Sequence, residues 1–107
     1  RYRSSAASDV YKRQEVDGIF CTNDDLAIGA LFECQRRGIK IPEQMAIVGF
    51  HGHDISQAMT PKLATVITPR EEIGQVAAQQ LIQRLKGVES WKASIDLGYQ
   101  IELGESL

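Results

Sequence analysis

The chain is poor in cysteine and has no long hydrophobic run. Its 2 cysteines, Cys21 and Cys34, are 13 positions apart and form no CxxC pair. This spacing argues against a zinc ribbon and a disulfide framework, and it favours two reduced, buried thiols. No apolar stretch approaches the roughly 20 residues that a membrane-spanning helix needs. The chain also lacks internal repeats and low-complexity segments.

The first 14 residues differ in kind from the rest. Residues 4–14 read SSAASDVYKRQ, which matches in order the in-frame translation of a transposase-type sequencing adapter. We therefore predict that residues 1–14 are not native, and we exclude them from reasoning about the fold. The alternative is a genuine flexible basic arm that contacts nucleic acid.

The remaining residues, 15–107, are acidic. The whole chain has 12 Lys+Arg and 14 Asp+Glu, and leaving out the four basic residues and one acidic residue of the first 14 gives 8 and 13, a net charge of −5. An acidic surface argues against direct contact with DNA or an anionic membrane. Because domains more often have about 100–150 residues, we expect this segment to be part of a domain.

Apolar runs and helix signals predict an α/β fold with the order βαβαβα and a short β tail. The predicted strands are residues 18–21, 45–49 and 64–67, with two tail strands at 93–97 and 99–103 kinked at Gly98. The predicted helices are 24–37, a short one at 54–59, and one from 69 to about 86. Asn23 or Thr22 is expected to cap the first helix. Thr68-Pro69-Arg70-Glu71 has the pattern of a capping box with proline at the first helical position.

The two long helices carry different amounts of apolar surface. The helix 69–86 has one stripe, formed by Ile73, Val76, Ala77, Leu81 and Leu85. The helix 24–37 has two apolar faces, one with Ala27, Ala30, Leu31 and Cys34 and one with Leu26, Ile28 and Phe32. One face can cover the sheet, and the other would pack against another subunit or another layer of its own domain.

Two polar clusters follow predicted strands, Thr22-Asn23-Asp24-Asp25 and His51-Gly52-His53-Asp54. In open α/β sheets, ligands bind beyond the carboxyl ends of the strands, so the two clusters predict one small-molecule site. His51, His53 and Asp54 also suggest a metal site, but no further ligand accompanies them. Asp24 and Asp54 could act as acid–base partners of a histidine, but any α/β protein offers such candidates. We expect no metal, no cofactor and no enzymatic activity.

Three segments resemble lactose-repressor-type bacterial transcription regulators. Residues 20–30, FCTNDDLAIGA, are similar to the family segment F-x-x-N-D-x-x-A-x-G-A. Residues 38–50, GIKIPEQMAIVGF, resemble G-I-x-V-P-x-D-I-x-V-x-G-F, and residues 61–66, PKLATV, resemble P-x-L-T-T-V. The resemblance covers essentially all of residues 15–107, in order and at matching spacing.

The resemblance implies a periplasmic-binding-protein-like fold of two α/β subdomains, of which residues 15–107 are an effector-binding domain fragment. Residues 15–67 and 93–107 would belong to the C-terminal subdomain. The helix 69–86 would pack on an N-terminal subdomain that is missing here, so we expect its apolar stripe to be exposed. The family also implies a cytoplasmic homodimer, formed by helix 25–37 and loop 53–61, that holds operator DNA through a helix-turn-helix absent from this chain.

Within the family, residues 49–54 (GFHGHD) and 68–71 (TPRE) resemble the gluconate-responsive branch. Most members have an aspartate at the position of His51. A carboxylate there would repel a sugar acid, whereas the imidazole of His51 can donate a hydrogen bond to it. The resemblance implies that Asn23, His51 and Arg70 contact the ligand, with Asp24 and His53 in support. The implied ligand is gluconate or a related sugar acid, such as its 6-phosphate or idonate. The alternative is a sugar-binding receptor of a transport or chemotaxis system on the same fold.

Overall fold

Seven elements alternate along the chain in the predicted order. The computed structural model describes residues 15–89 and 92–107, so the predicted adapter-derived residues 1–14 lie outside the described part. The elements are β1 (Gly18–Phe20), α1 (Asp24–Arg36), β2 (Ala46–His51), α2 (Asp54–Ala58), β3 (Ala64–Ile67), α3 (Arg70–Leu85) and β4 (Gln100–Glu102). None of the helices in these described ranges combines the length and apolar character of a membrane span.

The four strands form one sheet in sequence order. β1, β2 and β3 are parallel, with Phe20 opposite Val48 and Gly49 opposite Thr65. β4 runs antiparallel at the edge of β3. Because three parallel strands end at the same edge of the sheet, the residues that follow each of them lie along one rim. This topology places the two predicted polar clusters at the same edge.

Helix α1 begins where its sequence predicts. Asn23 Oδ1 accepts a hydrogen bond from the backbone N–H of Leu26 at 2.9 Å, which satisfies one of the free donors of the first turn. Asp24 and Asp25 lie in that turn, where the helix dipole favours negative charge. The helix ends at Arg36, one residue before the predicted end, and Gly38 follows with φ +71°. The Asn23 cap is therefore confirmed.

The core lies between one face of the sheet and α1. It is formed by Cys21, Ala27, Leu31, Cys34, Ile47 and Leu63. The other face of the sheet is exposed at its edges, where Phe20 on β1 and Ile101 on β4 are 63% and 64% exposed, and half-buried at its centre. Leu26 and Phe32 on α1 are also exposed. The two apolar faces predicted for α1 are thus present, one buried on the sheet and one open.

Helix α3 has no buried residue. Of its predicted apolar stripe, Val76 is half-buried, whereas Ile73, Ala77, Leu81 and Leu85 are exposed. The expectation of an exposed stripe is confirmed. The helix ends at Leu85, followed by Lys86 and by Gly87 with φ +76°.

Three element boundaries correct the sequence-based prediction. β1 stops one residue earlier, at Phe20, and β2 starts at Ala46 but extends to His51. Residues 93–97 form no strand, and of the second predicted tail strand, 99–103, only residues 100–102 pair with β3. The alternating apolar residues Ile95 and Leu97 instead line a groove along α3.

Glu33 provides a pH test of α1. Its carboxylate accepts hydrogen bonds from Arg36 and Arg37 at 2.6–2.8 Å, which lowers the pKa of Glu33 from 4.5 to about 2. Since the folded-state pKa is the lower one, this stabilisation is complete above about pH 4.5 and is lost as the pH falls towards 2. We expect Glu33→Gln to lower the thermal unfolding midpoint slightly at neutral pH and not at about pH 2. Circular dichroism at the helix band measures the midpoint.

The control is Glu43→Gln, because Glu43 makes no ion pair within residues 15–89 and 92–107. It should leave the midpoint unchanged at both pH values. If Glu33→Gln lowered the midpoint equally at neutral and acid pH, the stabilisation would not come from the charged Glu33 carboxylate.

Candidate ligand-binding site

His51 occupies the last position of β2 with an unusual backbone. Its φ is +93°, a left-handed conformation that costs a residue with a side chain roughly 1–3 kcal/mol. The ring packs edge-on against Phe50, with centroids 4.8 Å apart, and lies nearly parallel to the His53 ring, with centroids 6.3 Å apart. Strain of this kind is concentrated at functional sites, where surrounding contacts maintain it.

The Asp24 carboxylate is completely buried and holds this loop in place. Its Oδ2 accepts from the His53 backbone N–H at 2.7 Å and from the Ser56 hydroxyl at 2.5 Å. Its Oδ1 accepts from the Thr65 hydroxyl at 2.7 Å. These three donors, together with the N-terminus of α1, offset the cost of burying the charge. One carboxylate therefore joins α1, the loop after β2, the helix α2 and the strand β3.

Two glycines allow the backbones around this carboxylate to approach closely. A Cβ at Gly49 would overlap the Asp24 carboxylate and lie 2.9 Å from Leu63 Cδ2. Gly52 has φ +71°, and a Cβ there would lie 2.7 Å from Ile67 Cγ1. A residue with a side chain is therefore disfavoured at Gly49 by space and at Gly52 by both space and conformation.

His53 lies between the loop and α1. Its Nδ1 is 3.3 Å from Asp25 Oδ1, and its side chain is 30% exposed. Its main link to the site is the backbone bond to Asp24 described above. Asp24 and His53 thus contact each other and the surrounding loop, and their predicted role in support of a ligand site stays a prediction.

The capping box predicted at the start of α3 is wrong. Pro69 occupies the N-cap position instead of the first helical position, and no side chain caps the helix. Thr68 Oγ1 is instead 3.2 Å from His51 Nδ1, and the Thr68 N–H is 3.5 Å from the His51 carbonyl oxygen. The threonine hydroxyl is therefore directed to the end of β2.

Arg70 reaches the histidine loop from the start of α3. Its Nη2 donates to the Gly52 carbonyl at 3.2 Å and lies 4.0 Å from Asp54 Oδ1. A guanidinium has five N–H donors, so this contact leaves several of them for a ligand. Asn23 retains donors as well, because its cap bond uses Oδ1 and leaves the Nδ2 amide group.

The rim carries both donors and carboxylates, since the donors His51, Arg70 and Asn23 lie near the exposed carboxylates of Asp25 and Asp54. His51 and Arg70 are held against the same loop, and Asn23 adjoins the Asp24 carboxylate that anchors it. Within residues 15–89 and 92–107, no three His, Cys, Asp or Glu side chains lie close enough to hold a metal ion. Burial raises the pKa of the Cys21 thiol, so this side chain is a protonated thiol at neutral pH.

Sequence reasoning missed four residues of this arrangement, namely Gly52, Ser56, Thr65 and Thr68. Ser56 and Thr65 are 32 and 41 positions away from Asp24 in the chain. Sequence patterns over a few neighbouring residues cannot predict contacts over such a distance. A weak signal was available in Thr65, a polar residue inside a buried apolar strand.

Residues 2–107 match the family of the periplasmic binding protein-like domain. The chain belongs to this family. The HTH-type transcriptional regulator GntR of Escherichia coli K12 is 54% identical over 93 residues, which is 87% of this chain and 28% of that protein. This periplasmic binding protein-like chain therefore spans less than a third of the length of that relative.

Solved structures agree with this assignment. The transcription regulator GntR from Chromobacterium violaceum has a TM-score of 0.81 and 43% identity, covering 94% of this chain and 37% of that one. A LacI family transcriptional regulator from Enterococcus faecium with bound ribose has a TM-score of 0.80 and 29% identity, covering 94% of this chain and 38% of that one. The predicted periplasmic-binding-protein-like α/β fold and the resemblance to lactose-repressor-type regulators are confirmed.

The contact between Gly49 and Asp24 can be tested by adding one methyl group. We expect Gly49→Ala to destabilise the periplasmic binding protein-like domain by about 1–3 kcal/mol, because the methyl displaces the carboxylate and Leu63. Urea unfolding of the full-length protein measures the change. The matched control is Gly18→Ala, also in a strand, where the nearest atom is at 3.9 Å. Equal stability of the two variants would contradict the proposed close approach.

Proposed function

We propose that the full-length protein is a DNA-binding transcription regulator that senses gluconate or a related sugar acid. Its family membership and its similarity to transcription regulators support the regulatory role. They also favour a regulator over a transport or chemotaxis receptor. The chain would be a cytoplasmic effector-sensing part without catalytic activity, and a helix-turn-helix elsewhere in the protein would bind the operator.

The observation that carries the ligand class is the presence of His51 and Arg70 against one loop at the rim of the sheet. A carboxylate only accepts hydrogen bonds, so it needs donors. Imidazole and guanidinium supply them, and a guanidinium can bind a carboxylate through two parallel bonds. The Nδ2 group of Asn23 is a further donor, suited to a sugar hydroxyl.

The arrangement also supports a mechanism. Arg70 follows the crossover from β3 to α3, and α3 would pack on the other subdomain. A sugar acid bound between His51 and Arg70 would bridge the two subdomains and shift their orientation. It can change operator affinity only by binding one orientation more tightly than the other.

The ligand class can be tested by titrating operator-bound full-length protein with gluconate, its 6-phosphate and idonate, following operator release by fluorescence anisotropy. We expect at least one sugar acid to release the operator. His51→Asp should weaken that response at least about tenfold, because it sets two carboxylates against each other. His51→Asn is isosteric with His51→Asp but keeps a neutral donor, so it should weaken the response less. An unchanged response in His51→Asp would refute the role of His51.

We further propose that the protein is a homodimer through helix 25–37 and loop 53–61. Leu26, Phe32 and Ile55 in these segments are 57%, 57% and 60% exposed and offer apolar area for a partner surface. The contact of His53 with Asp25 joins the two segments into one surface. This surface adjoins the rim that carries the proposed ligand contacts.

Phe32→Lys tests the dimer. The substitution removes an aromatic contact of the proposed interface and places a charge in its apolar surface. We expect it to weaken dimerisation of the full-length protein at least about tenfold in sedimentation velocity. Gln83→Lys adds the same charge on α3 and should leave the dimer intact. A dimer of unchanged affinity in Phe32→Lys would place the interface elsewhere.

A further inference from the structure

Thr68 lies where the chain leaves β3 and turns towards α3. Its hydroxyl is 3.2 Å from His51 Nδ1, and its backbone N–H is 3.5 Å from the His51 carbonyl oxygen. Thr68 therefore contacts His51 through both its side chain and its backbone. Its hydroxyl makes no other hydrogen bond within residues 15–89 and 92–107.

The orientation of the His51 ring is determined by its neighbours. Phe50 packs against it at an interplanar angle of 77°, and His53 lies parallel to it at 12°. The backbone φ of +93° directs the side chain away from the regular strand position. Nδ1 consequently faces Thr68, and Nε2 has no hydrogen-bond partner in the described part of the chain.

A neutral imidazole carries its proton on one nitrogen, and the hydrogen bond made by the other nitrogen decides which. If the Thr68 hydroxyl donates to Nδ1, the proton is on Nε2. That form is also the one that free imidazole side chains prefer in water. The opposite form would donate from Nδ1 to Thr68 and leave Nε2 as an acceptor, which does not suit a carboxylate.

We propose that Thr68 is a positioning residue that holds His51 as the Nε2–H tautomer, so that Nε2 donates to the carboxylate of a bound sugar acid. The statement about the carboxylate rests on the proposed function, whereas the tautomer does not. Because Thr68 precedes α3, this bond also joins His51, the proposed selectivity residue, to the segment that crosses between the proposed subdomains.

The tautomer is measured directly by nitrogen NMR of full-length protein labelled at histidine, at a pH where imidazole is neutral. His51→Asn identifies the His51 signals. We expect wild type and Thr68→Ser to show a protonated Nε2 and an unprotonated Nδ1. Thr68→Val, and Thr68→Ala as a second variant without a branched methyl, should show a mixture of tautomers. A protonated Nδ1 in wild type, or an unchanged ratio in both variants, would overturn the proposal.

The binding consequence is measured by calorimetry with gluconate. Thr68→Val should weaken binding roughly three- to tenfold, as expected for one lost hydrogen bond, and Thr68→Ser should restore it. In the His51→Asn background, Thr68→Val should have no further effect, because Thr68 acts through His51. An equal loss in both backgrounds would assign Thr68 a merely structural role. Absence of gluconate binding in wild type would contradict the proposed function alone, since the NMR result stands by itself.

Discussion

The buried Asp24 carboxylate is the contact on which the rest of the rim depends. It accepts hydrogen bonds from three elements that are distant in sequence, through His53, Ser56 and Thr65. A buried charge without such donors would be strongly unfavourable, so each donor is tied to its place. Asp24 is also the first residue of α1. Its hydrogen bonds therefore link the position of α1 on the sheet to the path of the loop after β2.

The chemistry of the rim follows from this anchor. The loop is held at His53, so the chain turns sharply at the end of β2. His51 and Gly52, the two residues of this turn, both have positive φ. That turn brings the His51 ring against Thr68 and exposes the Gly52 carbonyl to Arg70. The proposed ligand contacts thus result from a backbone path that the buried carboxylate maintains.

Local features were predictable from the sequence, and long-range ones were not. The Asn23 cap and the strand Ala64–Ile67 depend on residues close together in the chain, and both agree with the structure. Thr68 was assigned to a capping box because its local pattern fits one, but its partner, His51, is 17 positions away. The strand predicted at 93–97 failed for a related reason. Alternating apolar residues suggested burial on one side, but Ile95 is exposed and Leu97 only half-buried, and both line a groove along α3 instead of pairing in the sheet.

The anchor acts on the loop largely through the main chain. Asp24 binds the backbone N–H of His53, and Arg70 binds the backbone carbonyl of Gly52. Neither contact requires a particular side chain at positions 51 or 53. We therefore expect a residue at position 51 that tolerates the positive φ to leave these two backbone contacts in place, and under the proposed function it would alter which ligands bind. Under the proposed function, such a separation would let new ligand preferences arise by single substitutions, without rebuilding the scaffold that carries them.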